Sequence, residues 1–124
     1  FFKYKMAEQL LKGLIEKNPC LEAILITDKE GIDIYTHYKV QNHPLKENQS
    51  GLIFATGFLQ TNEHLSKLNQ GKTNNVTLFY DNYIVYQEGW DNSTILSIFA
   101  SAEGNVGKIH DLAKDLKEKF SELA

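Results

Sequence analysis

The segment "SAEGNVGK" at residues 101–108 comes nearest to a catalytic motif in this sequence. It follows a predicted strand, opens a predicted helix and ends in a Gly-Lys pair, as a phosphate-binding loop does. Such a loop needs a glycine at its first position and a Ser or Thr for Mg²⁺ after the lysine, where this chain has Ala102 and Ile109. We therefore predict a structural role, in which Gly104 and Gly107 let the helix approach the sheet closely.

No other group of residues has the spacing of an active site. The histidines are scattered without the spacing of a metal site, and we expect them to be solvated or locally hydrogen-bonded: His37, His43, His64 and His110. Cys20 has no local nucleophile signature and is predicted to fill the core. Asp28, Glu30 and Asp33 surround a predicted hairpin turn and are interpreted as turn formers. We expect no catalytic residue, no cofactor and no metal.

The composition is that of one globular domain. The chain has 124 residues, of which 42% are hydrophobic and 11% aromatic, enough for a substantial core. We expect a single domain over residues 1–124. Met6 is a plausible natural start, which would make residues 1–5 an extension.

The charge distribution argues against nucleic acid and membrane as direct partners. The net charge is -3 and all 13 basic residues are Lys. Arginine, the residue best suited to bidentate contacts with phosphate or guanine, is absent. The chain therefore has no arginine finger to offer a GTPase. No apolar run reaches the length of about 18 residues that a membrane span needs, so we expect no direct membrane insertion.

Hydrophobic periodicity predicts helices at 4–17, 50–68 and 104–123, a β-hairpin over 20–38 and a three-stranded meander over 74–101. The polar, proline-containing segment "QNHPLKENQSG" between the hairpin and the second helix is predicted to be an exposed loop. The order αββαβββα indicates an α/β fold of the α+β type. We predict one five-stranded antiparallel sheet sandwiched by helices.

The second predicted helix is apolar over more than half of its circumference. Its first half carries Leu52, Ile53, Phe54, Ala55, Phe58 and Leu59. One sheet covers only one side of a helix, so a second subunit is expected to cover the other side. A central position within the monomer is the structural alternative.

The first strand of the meander supports the second-subunit interpretation. It follows the second helix directly, and Val76, Leu78 and Tyr80 alternate along it. An edge strand without Lys or Pro is normally paired or covered. We predict that it pairs with the same edge of a partner, while the exposed side of the second helix packs against its counterpart.

This order of elements, with the segments "ILITDKEGIDI", "FYDNYIVYQ" and "SIFASAEGNVGKI", resembles the roadblock/LC7 family, and within it the scaffold subunits of Ragulator. The resemblance covers nearly the whole chain from about Met6. It implies that the second helix and the first meander strand contact a second roadblock-fold subunit in a heterodimer. The interface positions carried over or expected from the apolar pattern are Leu52, Phe54, Phe58, Leu59, Val76, Leu78 and Tyr80.

The same resemblance implies the biological setting. It implies a non-catalytic adaptor on the cytosolic face of late endosomes or lysosomes, recruited by a partner. The implied partners are the other Ragulator-like subunits, Rag-type GTPases and the MEK and ERK kinases, with a role in TOR signalling. Three alternatives stay open: a homodimeric roadblock protein that regulates a small GTPase, a motor-complex light chain, and a small-molecule sensor.

Overall fold

The computed structural model describes residues 2–66, 75–90 and 93–123, which form four α-helices and five β-strands. The elements follow one another in the predicted order, with one short helix added. They are α1 (Phe2–Lys17), β1 (Leu21–Asp28), β2 (Asp33–Tyr38), α2 (Pro44–Glu47), α3 (Ser50–Ser66), β3 (Asn75–Phe79), β4 (Tyr83–Trp90), β5 (Thr94–Ser101) and α4 (Val106–Leu123).

The five strands form one antiparallel sheet in the order β2-β1-β5-β4-β3. The predicted fold class is therefore confirmed, and β3 lies at an edge. β1 and β5 are adjacent at the centre, with Leu25 opposite Ser97. Both central strands are buried on nearly every residue, which accounts for their almost continuous apolar sequence.

The two faces of the sheet carry different helices. Helices α1 and α4 lie on the face of Ile24, Ile98 and Tyr86, in the larger core cluster. Helices α2 and α3 lie on the opposite face, where Leu25 and Phe99 are fully buried. Alternation along each strand sends successive side chains to opposite faces, so a single sheet supports both layers.

The prediction of an exposed loop before α3 is wrong in part. Pro44–Glu47 forms one helical turn, and His43 and Leu45 are 3% and 8% exposed. His43 Nδ1 accepts a hydrogen bond from the Leu45 N–H at 3.2 Å, so the ring proton lies on Nε2, which donates to Glu22 at 2.9 Å. A contact with a residue 21 positions away holds this turn, and no local pattern reveals it. Residues 67 and 68, predicted as the end of the second helix, lie outside the described residues.

The turn between β1 and β2 contacts the start of α3. Asp28 accepts hydrogen bonds from the N–H groups of Glu30 and Ile32 at 2.8 and 3.0 Å, as expected of a turn-forming aspartate. Gly31 adopts φ +86°, and a Cβ at this position would lie 2.6 Å from the Cα of Leu52. Glycine is therefore required here both by the backbone conformation and by the closeness of α3.

A buried amide connects α3 to the sheet. Gln87 on β4 is 1% exposed. Its Nε2 donates to the carbonyl oxygen of Phe54 in α3 at 2.8 Å and to Ser97 Oγ at 3.2 Å. The side chain satisfies its donors only when α3 lies at one position along the sheet, because hydrogen bonds tolerate little change in distance.

We predict that Gly31→Ala destabilises the protein, whereas Gly13→Ala does not. A side chain at residue 31 would collide with the Leu52 backbone. In addition, the left-handed backbone conformation of residue 31 costs any residue other than glycine about 1–2 kcal/mol. Gly13 lies within α1, and nothing would contact a Cβ there within 4 Å. Urea unfolding should give a lower midpoint for Gly31→Ala only. Equal midpoints for the two variants would contradict the close approach of the turn to α3.

We also predict that Gln87→Leu lowers the free energy of unfolding by about 1–3 kcal/mol, because the buried Ser97 hydroxyl loses its partner. The double variant Gln87→Leu/Ser97→Ala should recover part of this loss, since both polar groups are then removed. Gln9→Leu, at an exposed position of α1, is the control for the added hydrophobicity. If Gln87→Leu alone were as stable as the parent protein, the Gln87 amide would not be what holds α3 against the sheet.

Candidate protein-interaction surface

The outer side of α3 is uncharged and partly apolar. No charged residue occurs from Ser50 to Asn62. Leu52 and Ile53 are 46% and 59% exposed, and the outward positions that follow carry small or neutral polar side chains, namely Thr56, Gly57 and Gln60. A solvent-facing helix normally carries Lys, Glu or Asp on that side, so this surface has the composition of an interface.

Strand β3 gives the sheet an open edge beside α3. Its one neighbour among the described strands is β4. Tyr80 donates its backbone N–H to Tyr83 O at 2.8 Å, so in the alternating antiparallel pattern the backbone groups of Thr77 and Phe79 face away from β4. Neither Lys nor Pro interrupts Asn75–Phe79, and such an edge is available for pairing.

The side chains of β3 divide between the two faces of the sheet. Val76 and Leu78 pack beneath α3 and are half-buried. Thr77 points to the α4 side, where its Oγ1 lies 3.3 Å from His110 Nε2. Phe79, on the same side, is 69% exposed. The open backbone edge of β3 and its apolar side chains therefore continue the exposed surface of α3 to the edge of the sheet.

Phe54 joins α3 to the end of β3. Its ring meets Phe99 and Tyr80 edge-on, with centroid separations of 5.1 and 5.9 Å. A cavity of about 350 Å³ opens here, and its lining residues are Leu45, Phe54, Tyr80, Asp81, Asn82, Tyr83, Val85 and Phe99. We call α3, β3 and this cavity together the α3–β3 surface.

The predicted interface residues are distributed unequally between surface and core. Leu52 and Tyr80 are exposed, at 46% and 51%. Four are half-buried: Phe54, Leu59, Val76 and Leu78. Phe58 is 3% exposed and packs with Ala55 and Ile95 inside the chain. Contact of any of these residues with a partner stays a prediction, and Phe58 has a structural role in the monomer in any case.

Two exposed residues of the surface were not selected from the sequence. Ile53 and Phe79 are more exposed than any of the predicted positions. In a helix that is apolar nearly all round, periodicity does not distinguish the inward side from the outward one. Phe79 lies between Leu78 and Tyr80 and points to the opposite face of the sheet. Period-two spacing selects Val76, Leu78 and Tyr80, and therefore leaves Phe79 out.

The phosphate-loop-like segment has a structural geometry. Asn105 caps α4, its Oδ1 accepting the Lys108 N–H at 3.0 Å. A Cβ on Gly104 would lie 3.1 Å from Ser101 O, which agrees with the predicted close approach. The same expectation for Gly107 was wrong, because a Cβ there would meet only the Asn105 side chain, at 3.3 Å.

Cys20 and several reactive side chains of β4 are engaged in packing or local hydrogen bonds. Cys20 is half-buried against the larger core cluster. On β4, Glu88 accepts hydrogen bonds from Tyr86 Oη at 2.7 Å and Trp90 Nε1 at 2.8 Å. Burial, together with the Glu88 carboxylate, raises the pKa of Tyr86. In the ranges 2–66, 75–90 and 93–123 no three His, Cys, Asp or Glu side chains come together as metal ligands.

Within that same part of the chain, none of the helices combines the length and apolar character needed to cross a bilayer.

Comparison with known proteins gives relatives over almost the entire chain. The sequence profile of the family described as "Mitogen-activated protein kinase kinase 1 interacting" matches residues 5–124. The Ragulator complex protein LAMTOR3-A of Xenopus laevis is 31% identical over 121 residues, which cover 95% of both chains. LAMTOR3 of Rattus norvegicus is also 31% identical over 121 residues, 95% of this chain and 94% of the relative.

Solved structures share the fold at low sequence identity. The gliding protein MglB of Thermus thermophilus superimposes with a TM-score of 0.79 at 14% identity, covering 98% of this chain and 90% of that one. A roadblock/LC7 domain from Streptomyces avermitilis gives a TM-score of 0.67 at 14% identity, covering 94% and 89%. The chain therefore belongs to the mitogen-activated protein kinase kinase 1 interacting family, and its fold is that of the roadblock/LC7 proteins.

Proposed function

We propose that this chain is a non-catalytic scaffold subunit that pairs through the α3–β3 surface with a second roadblock-fold subunit in a Ragulator-like complex. The observation that carries the proposal is the uncharged, exposed side of α3 lying directly beside the open edge of β3. In this arrangement residues 1–124 act as one roadblock-type domain.

The physical basis is the apolar area that the isolated chain leaves in water. Ile53 and Phe79 are 59% and 69% exposed, and their burial gains about 25 cal/mol for each Å² of apolar area. Pairing of β3 with the corresponding strand of a partner satisfies the outward backbone groups of Thr77 and Phe79. Strand and helix together provide an interface of about 1,600 Å² or more, the usual size for a stable complex.

The names of the relatives support a proposal for the cellular role. Their names place them in the Ragulator complex and connect the family to mitogen-activated protein kinase kinase 1. We accordingly propose that the chain supports MEK–ERK scaffolding and Rag GTPase-dependent TOR signalling on the cytosolic face of late endosomes or lysosomes, where other subunits hold it. The non-catalytic part of the proposal rests on Ala102 and Ile109, which replace the phosphate-binding glycine and the metal-binding hydroxyl.

The first experiment is the solution mass of the purified chain, alone and mixed with a candidate roadblock-fold partner, by light scattering on a sizing column. The proposal expects a 1:1 heterodimer that forms at the expense of monomer or aggregate. A stable homodimer that does not exchange with the partner would favour the alternative of a self-associating roadblock protein.

We predict that Ile53→Asp weakens pairing without unfolding the chain. A charge at this outward position is tolerated in water but is unpaired and desolvated in the complex. The dissociation constant, measured by isothermal titration calorimetry, should rise at least about tenfold. Phe58→Asp is less informative, because Phe58 lies in the core of the monomer and its replacement lowers the stability of the chain itself.

Met6→Asp is the matched control for Ile53→Asp. Met6 is an exposed apolar residue of α1, 42% exposed, on the other face of the sheet. The control should bind the partner as the parent chain does. If Ile53→Asp and the parent chain bound the partner with equal affinity, α3 would not be part of the interface.

We further predict that Thr77→Pro weakens pairing at least about tenfold, because proline removes an outward N–H from the centre of the edge strand. The monomer should keep its circular dichroism spectrum, since that N–H does not bond to β4. Thr77→Ser keeps both the N–H and the hydroxyl near His110, and it should bind normally. If Thr77→Pro paired with full affinity, the two subunits would associate through helices without a continuous sheet.

A further inference from the structure

The sheet has a second open edge, on the side away from β3. Strand β2 has β1 as its sole neighbour in the described part of the chain. Asp33–Tyr38 contains neither Lys nor Pro. Strand β2 has one extra residue, Ile34, between the pairs Ile26–Tyr35 and Thr27–Asp33, so the bulge is confined to its start and residues 35–38 pair regularly with β1. By the same physical criterion that applies to β3, this edge is available to another strand.

The orientation of the β2 backbone follows from one hydrogen bond. Lys39 donates its N–H to Glu22 O on β1 at 2.8 Å. Because inward and outward groups alternate along an antiparallel strand, the backbone groups of Thr36 and Tyr38 face away from β1. These groups can form the hydrogen bonds of an added strand.

A cavity of about 410 Å³ lies beside the start of this edge, on the face of the sheet that carries α1 and α4. Its lining residues are Ile26, Ile34, Tyr35, Trp90, Thr94, Lys117, Phe120 and Ser121. The aromatic walls are in mutual contact, since the Phe120 ring lies 5.5 Å from Tyr35 and 5.6 Å from Trp90 between centroids. Ile34, which belongs to β2, is 40% exposed, so the cavity opens towards the strand edge.

One charged side chain lines the cavity, and it has no ion-pair partner among the described residues. Lys117 on α4 is exposed, and its backbone oxygen accepts a hydrogen bond from Ser121 Oγ. On the same helix, Lys119 pairs with Asp115 at 3.0 Å. The Trp90 indole N–H already donates to Glu88. The cavity therefore offers apolar walls and a single unneutralised cation.

We propose that the β2 edge and this cavity bind an extended segment of a partner protein. The segment adds a strand beside β2, places an aromatic or long aliphatic side chain in the cavity, and carries an Asp or Glu within two residues of it that pairs with Lys117. Strand addition provides affinity through the backbone, and the cavity and its cation provide specificity, as in other peptide-binding domains that extend a sheet. The site does not overlap the α3–β3 surface, so the inference stands independently of the proposed function.

Selection from a random library tests the proposal without knowledge of the natural partner. Phage-displayed peptides of random sequence would be selected against the full chain, and the enriched peptides synthesised. The expected peptides combine an apolar residue with a nearby carboxylate. They should change the fluorescence of Trp90, the one tryptophan of the chain, because its ring forms one wall of the cavity.

Three variants separate the contributions. Lys117→Glu should weaken the selected peptides at least about tenfold, and replacing the acidic residue of the peptide by Lys should restore binding to this variant. Lys108→Glu, an equal charge change at the other end of α4, should have no effect. Thr36→Pro removes an outward N–H of β2 and should also weaken binding, while circular dichroism confirms that the variant is folded.

Four results would overturn the proposal. One is the absence of enrichment above an unrelated control protein, and the second is peptides that leave Trp90 fluorescence unchanged. The third is equal affinity for Lys117→Glu and the parent chain. The fourth is a Trp90 shift with octanoate but with no selected peptide, which would identify a small-amphiphile site instead.

Discussion

The contact between the Gln87 amide and the Phe54 carbonyl determines how the functional surface is arranged. Helix α3 is apolar on most of its circumference, so hydrophobic burial alone would accept several rotations about its axis. The amide lies at 1% exposure and donates to Phe54 O and Ser97 Oγ. A buried donor left without its acceptor costs about 1–3 kcal/mol. This penalty selects one rotation, with Phe58 inward and Ile53 outward.

This rotation of α3 couples the packing of the core to the shape of the exposed surface. Phe54 packs against the buried Phe99 on one side and the exposed Tyr80 on the other. The exposed α3 side, the end of β3 and the cavity between them are therefore parts of one rigid arrangement. A preorganised surface of this kind loses little conformational entropy when a partner binds, and affinity benefits accordingly.

The element order, the antiparallel sheet and the edge position of β3 could be predicted because each depends on a local pattern or on a family resemblance. Period-two alternation and turn residues locate strands, and amphipathic spacing locates α1 and α4. The inward and outward sides of α3 were beyond such reasoning, since Ile53 and Phe58 are equally apolar. The difference arises from the Gln87 contact, 33 residues away in sequence. Helix α2 was missed for a similar reason, because His43 and Leu45 are buried by contacts with β1 and the core.

The pairing of β1 with β5 has a consequence for biosynthesis. Strand β5 lies more than 60 residues later than β1, with Ile26 opposite Leu96. Until Ser101 has left the ribosome, β1 has a neighbour on one side only, and the apolar groups of α1 and α3 have no complete sheet to cover. The nascent chain is thus exposed to aggregation until β5 has been synthesised, because non-local strand pairing must wait for that strand. Production of this protein is expected to depend on chaperones that hold the growing chain until β5 has been made.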